Sequence, residues 1–122
     1  MNRKLLVGKI HRATVTQSDI AYEGSITIDS VLMKAAGLME FEQVHVANVD
    51  NGQRLETYAI SGEAESGVVC LNGAAARSGV TGDRVIIMAY GDVEDKQARF
   101  HVPKVVTVDG KNKVIAVSQS IR

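Results

Sequence analysis

Apolar and polar residues alternate at short range along most of the chain, and turn residues interrupt the runs at fairly regular spacing. That pattern predicts a β-rich fold, a small barrel or sandwich, with helix in the minority. The first run, KLLVGKIHRATVT, mixes β-branched and aliphatic residues around Gly8, which predicts a strand that bends or lets another backbone approach closely. SITI predicts a strand from Ser25 to Ile28. SVLMKAAG then reads as a short helix, capped by Asp29 or Ser30 and stopped by Gly37, with Val31, Leu32, Ala35 and Ala36 on one face as a lid.

Further on, QVHVANVDNGQRLETYAI predicts a hairpin. Val44 and Val46 lead into Asn51-Gly52, which suits a tight type I′ turn, and a second strand follows from Arg54 to Ile60. VVCLN and DRVIIMAY predict two more strands, with NGAAARSG between them as a Gly-bounded loop holding about one helical turn. VEDKQAR suggests another short helix, ended by Pro103. The last strands, KVVTVD and KVIAV, are joined through Gly110 to Asn112. No internal repeat, low-complexity tract or linker interrupts the 122 residues, which fits one domain spanning 1–122.

Charge narrows the partners. Fourteen basic and fourteen acidic residues cancel, so no global field draws the protein to nucleic acid or an anionic membrane, and small molecules or proteins are expected instead. Cys70, the one cysteine, cannot form an internal disulfide and is read as a buried structural thiol in a reducing compartment. With no long apolar run and no signal-peptide pattern at MNRKLLVGKIHR, a cytoplasmic location is expected.

Chemistry can be approached by elimination. His11, His45 and His101 are scattered and have no cysteine pair beside them, so no metal site is expected. The glycines of LNGAAARSGVTGD are spaced for neither a phosphate loop nor a dinucleotide fingerprint. Two Phe, three Tyr and no Trp give little material for stacking bases. What remains is YEGSITID, where Gly24-Ser25 stands at the mouth of a strand. It reads either as a turn into the strand or as a bond built to break.

Four blocks, GKIHR at 8–12, YEGSITID at 22–29, NGQRLETYAI at 51–60 and CLNGAAAR at 70–77, together resemble the pyruvoyl-dependent aspartate 1-decarboxylases, in order and in register. The resemblance implies a six-stranded double-psi β-barrel with short helices, assembled as a homotetramer with pockets between subunits. It implies self-cleavage between Gly24 and Ser25 into chains 1–24 and 25–122, with Ser25 becoming a covalent pyruvoyl group that replaces pyridoxal phosphate and forms a Schiff base with L-aspartate. The products would be β-alanine, for pantothenate and coenzyme A, and carbon dioxide.

Carried onto this chain, the family's roles fall on Thr57 for the oxyanion of self-cleavage and Tyr58 for returning a proton to Cα. Arg54 and Lys9 would hold the substrate together with Thr57, while Asn72, Gly73, Ala74 and Ala75 would line the pocket, and His11 and Tyr22 would stand behind them. Gly24 would help by lacking a Cβ and by tolerating strained angles. An accessory maturation protein is a further partner some members use. On an ideal strand Arg54, Glu56 and Tyr58 share one face and Thr57 points to the other, so a twist, bulge or backbone contact is expected to reconcile their roles. The chain departs from the family pattern at Ala64-Glu65 and at Ala21.

Taken singly, these residues read differently: Tyr58 as a half-buried strand tyrosine, Arg54 and Lys9 as solvated charges, Asn72-Gly73 as a plain turn. A catalytically idle barrel acting as a binding protein, or a decarboxylase for another acidic amino acid, would carry nearly the same residues.

Overall fold

The computed structural model describes residues 1–21 and 24–118. In chain order the elements are β1 (Asn2–Thr14), β2 (Gln17–Asp19), β3 (Ser25–Asp29), α1 (Ser30–Ala36), β4 (Gln43–Asn48), β5 (Arg54–Gly62), β6 (Val69–Asn72), a 3₁₀ helix (Gly73–Ser78), β7 (Arg84–Glu94), α2 (Asp95–Ala98), β8 (Lys104–Val108) and β9 (Val114–Ser118). The nine strands follow the hydrogen-bonded order β2-β6-β3-β5-β4-β7-β1-β8-β9. Three neighbouring pairs are parallel, β1 with β8, β2 with β6 and β3 with β5, and the others are antiparallel. The fold is therefore mostly β, of mixed topology, with a few short helices.

Gly8 explains the shape of β1. The pairing of β1 with β7 slips between Leu6 and Gly8 and again between Ile10 and Ala13, so the strand bends twice. A Cβ on Gly8 would lie 2.3 Å from the Ala36 carbonyl oxygen, so only glycine lets the end of α1 settle onto this strand. Beyond Thr14 the chain turns at once into β2: Val15 N donates to Asp83 O at 2.7 Å and Thr16 N to Val69 O at 2.8 Å.

Asp29, rather than Ser30, caps α1. Its buried carboxylate accepts Val31 N at 2.8 Å, and it also accepts Glu65 N at 3.1 Å and Gly67 N at 2.8 Å, tying the loop before β6 to the helix start. Gly37 closes the helix in the left-handed region at φ 76°, with Leu38 N returning to Met33 O at 2.8 Å. The buried face differs from the expected one: Leu32, Met33 and Ala36 meet the core while Val31 is exposed. The three bonds to Asp29 set the rotation of this two-turn helix and turn Val31 outward.

The hairpin forms, but its turn is not type I′. Gly52 has φ 76°, whereas Asn51 lies outside the left-handed region that such a turn demands at both centres. A longer loop closes instead, with Gly52 N on Asn48 O at 2.9 Å and Asn48 N on Gln53 O at 2.8 Å. The Asn48 side chain organises it, accepting Asp50 N at 2.9 Å and donating to Asp83 Oδ2 at 2.9 Å.

Buried side chains from β1, β3, α1, β4, β5, β6, β7 and β8 form one apolar cluster, with Ile10, Ile26, Ile28, Leu32, Leu71 and Ile87 its largest fully buried members. Among the described residues no helix is long and apolar enough to cross a membrane.

Candidate active site

β3 and β6 give the site its frame. They pair antiparallel, setting Ser25 opposite Asn72, Ile26 opposite Leu71, Thr27 opposite Cys70 and Ile28 opposite Val69. Alternation sorts these residues by face. Ile26, Ile28, Val69 and Leu71 enter the core, and Ser25, Thr27, Cys70 and Asn72 form a polar rectangle on the other side.

Asn72 joins the corners of that rectangle. Its Nδ2 donates to Ser25 Oγ at 2.9 Å and to Thr27 Oγ1 at 2.9 Å, and its Oδ1 accepts from Cys70 Sγ at 3.1 Å. Asn72 also stands at the cap position of the 3₁₀ helix, where an asparagine side chain ordinarily bonds the first backbone N–H groups. Here it makes no capping bond, being directed to the two hydroxyls instead. Gly73 follows at φ 59°, starting the helix in a conformation that favours glycine, and Gly73 and Ala75 are buried under it.

Ser25 is strained. Its φ of 133° lies where residues with a side chain rarely go, at a cost of about 1–3 kcal/mol, while its side chain is buried against Asn72. Gly24 beside it sits exposed in a bend, and among the described residues a Cβ on it would meet nothing within 4 Å.

β5 runs parallel to β3, with Ile26 level with Ala59. The register begins at that pair and runs to Asp29 beside Gly62. The pairing of β5 with β3 and β4 is unbroken, so no bulge reconciles Thr57 with Tyr58. The two residues keep to opposite faces of β5. Thr57 shares a cavity of about 170 Å³ with Gly24, Leu55, Glu56, Ala74, Ala75 and Ser78. Tyr58 lies on the opposite face, 38% exposed, its ring centroid 6.5 Å from that of Phe41.

The chain does not gather every expected residue. Arg54 is exposed and lines a separate cavity of about 250 Å³ with His45, Val46, Leu55 and Glu56. Lys9 is half-buried in β1, paired with Met88 and Val105. His11, paired with Thr107, lines a third cavity with Arg12 and Arg84. Burial first, and then the charges of Lys9 and Arg12, hold its imidazole below its ordinary value, and its Nδ1 is buried without a partner. Tyr22 lies outside the described residues. Cavity size does not pick out the site, since the space of about 440 Å³ beside Asp29 faces a carboxylate already filled by backbone donors.

Two participants escaped the sequence reading, Thr27 and Cys70 in its bonding role. The signal was in the pattern: SIT and CLN each place polar residues two apart around one apolar residue, the mark of two strands that share a polar face. Among the described residues no three His, Cys, Asp or Glu side chains gather as a metal-ion site.

The chain is similar to known proteins along nearly its whole length. The model of the family described as "Aspartate decarboxylase" matches residues 1–115. The aspartate 1-decarboxylase of Ruminiclostridium cellulolyticum is 58% identical over 114 residues, covering 93% of this chain and 89% of the relative. That of Lactiplantibacillus plantarum is 56% identical over 110 residues, 90% and 85% of the two chains. That of Dehalococcoides mccartyi is 53% identical over 117 residues, 96% and 94%.

Proposed function

This chain belongs to the aspartate decarboxylase family, and we propose that its chemistry starts at the Gly24-Ser25 bond, which it breaks to convert Ser25 into a pyruvoyl group. The activity is conversion of L-aspartate to β-alanine and carbon dioxide, supplying β-alanine for pantothenate and coenzyme A. The observation that carries the self-cleavage reading is a strained serine whose hydroxyl oxygen accepts the Asn72 amide, next to an exposed glycine.

Because Asn72 donates to Oγ, the hydroxyl proton stays free to leave as Oγ attacks the Gly24 carbonyl carbon. Thr57, lining the same cavity as Gly24, donates to the oxyanion that forms. Collapse breaks the C–N bond and leaves an ester. Loss of the Ser25 Cα proton then expels the Gly24 carboxylate, releasing chain 1–24 and leaving a Cα=Cβ double bond that bears the freed amine. One water replaces that nitrogen, which departs as ammonia, and position 25 is left as a ketone at the start of chain 25–122.

The polar rectangle and the small side chains of Ala74 and Ala75 fit a ketone at this position. When formed, the pyruvoyl group supplies the electrophile and electron sink that decarboxylation of an amino acid requires, with neither metal nor pyridoxal phosphate. Tyr58, on the strand that pairs with β3, delivers a proton to the substrate Cα. Arg54 grips a substrate carboxylate and Lys9 adds a second positive charge. Asn72, Gly73, Ala74 and Ala75 line the pocket, with His11 and Tyr22 behind it. Since Lys9, His11 and Arg54 lie apart from Ser25 within one chain, pockets between the subunits of a homotetramer account for all of them.

We also infer a single domain built on a six-stranded double-psi β-barrel. β1 and β2 act as one bent strand joining β7 to β6, so that this strand, β6, β3, β5, β4 and β7 close a ring; the bonds of Val15 and Thr16 across the bend support closure. A cytoplasmic location suits the free thiol of Cys70.

Intact-mass spectrometry tests the reading. Denatured protein should separate into chains 1–24 and 25–122, the latter without a free amino terminus, and Ser25→Ala should remain whole. Wild-type chain that stays full length after long warm incubation, alone and with cell extract to supply a maturation protein, would exclude it.

A further inference from the structure

We propose that Cys70 is a positioning residue for self-cleavage: its thiol donates to the Asn72 carboxamide oxygen and so fixes which end of that amide faces Ser25. The proposal rests on the Gly24-Ser25 reading above and adds a residue to it.

The two ends of a carboxamide are nearly the same shape, so its neighbours decide its orientation. Ser25 and Thr27 cannot decide it, because a hydroxyl donates as readily as it accepts and would satisfy either end. The third neighbour can. Cys70 Sγ lies 3.1 Å from Asn72 Oδ1, nearer than the 3.9 Å to the next acceptor, the Leu71 carbonyl. A thiol has one proton to give and is a weak acceptor, so an amide turned the other way would set its N–H₂ against a sulfur that takes a hydrogen bond poorly.

The surroundings keep that proton in place. Cys70 is buried, and burial followed by the negative charge of Asp19 holds the thiol above its ordinary value, so it stays a donor through neutral pH. Asp19 is set by register: β2 pairs parallel with β6, placing Gln17 level with Cys70 and Asp19 level with Asn72.

Orientation matters to the reaction. As observed, Nδ2 donates to Ser25 Oγ, leaves the hydroxyl proton free and faces the oxygen as its charge changes. Turned over, the amide oxygen would accept that proton without being able to remove it, and the attacking oxygen would lose its donor. The alternation that made the thiol read as packing is also what aims it, two residues along β6 from Asn72, at the carboxamide.

Serine and alanine are close in size and differ by one hydroxyl, so Cys70→Ser and Cys70→Ala separate donation from packing. The measurement is the rate of conversion to chains 1–24 and 25–122 by intact mass, with thermal unfolding of each variant to confirm folding. Cys70→Ser should keep most of the wild-type rate and Cys70→Ala should be slower by about three- to tenfold, the equivalent of one net hydrogen bond. The isosteric pair Cys70→Thr and Cys70→Val, run alongside, should show the same order. Equal rates within both pairs, whether fast or slow, would overturn the role of the thiol while leaving cleavage at Gly24-Ser25 intact. A wild-type chain that never cleaves would overturn the underlying reading instead.

Discussion

Replacing Thr57 by valine removes one hydroxyl and almost nothing else. Among the described residues that hydroxyl has no hydrogen-bond partner, so no bond of the resting fold is lost, and valine suits a strand at least as well as threonine. Stability should therefore change by no more than about 0.5 kcal/mol, in either direction. The effect on self-cleavage should be much larger. Thr57 lines the same cavity as Gly24, where, in the self-cleavage proposed above, the carbonyl oxygen becomes an anion during attack. Removal of one donor from such a position costs roughly 10²–10³ in rate, about 2.7–4 kcal/mol in the barrier. In a time course followed by denaturing electrophoresis and intact mass, Thr57→Val should accumulate as full-length chain over intervals in which wild type converts fully, with an unchanged melting temperature. Cleavage within threefold of the wild-type rate would refute the assignment, and the oxyanion would then have to be held by backbone N–H groups near Gly73 to Ala75.

The adjacent residue should behave oppositely: Tyr58→Phe keeps the ring and should cleave normally, yet release β-alanine at least tenfold more slowly, because a positioned general acid contributes about 10²–10⁴ and water replaces it only in part. Wild-type β-alanine release by that variant would make Tyr58 structural. Gly8→Ala would drive a Cβ against the Ala36 carbonyl oxygen at 2.3 Å, an overlap with backbone that should cost about 2 kcal/mol or more and lower the melting temperature by roughly 6–10 °C, read by calorimetry. His11 is held below its ordinary value of 6.5, so the unfolded chain binds its proton more readily than the native one. Its contribution to stability should be complete above pH 6.5 and be lost as pH falls from there through the lower native value; denaturant titrations should show that slope reduced in His11→Asn, and an unchanged slope would argue against the assignment.

Local rules made much of the architecture legible. Alternation located the strands, Asp29 or Ser30 and then Gly37 marked the ends of α1, and Gly8 announced a bend or a close approach, of which the fold shows both, because each of these signals acts within a few residues of itself. The resemblance supplied Ser25 and Tyr58, but not their geometry. Tertiary pairing decided the rest. The type I′ turn gave way because the Asn48 side chain, held by Asp83 from across the fold, organises a longer loop. The face of α1 was set by a carboxylate that also binds Glu65 and Gly67. Thr57 and Tyr58 lie on opposite faces of β5, and it is the parallel pairing of β5 with β3, which no reading of either strand alone contains, that brings this strand beside the one that Ser25 opens. The same holds for Cys70: its burial followed from the apolar run around it, but its partner followed from β3 and β6 bringing four polar side chains, far apart in sequence, to one buried face where each must find a hydrogen bond.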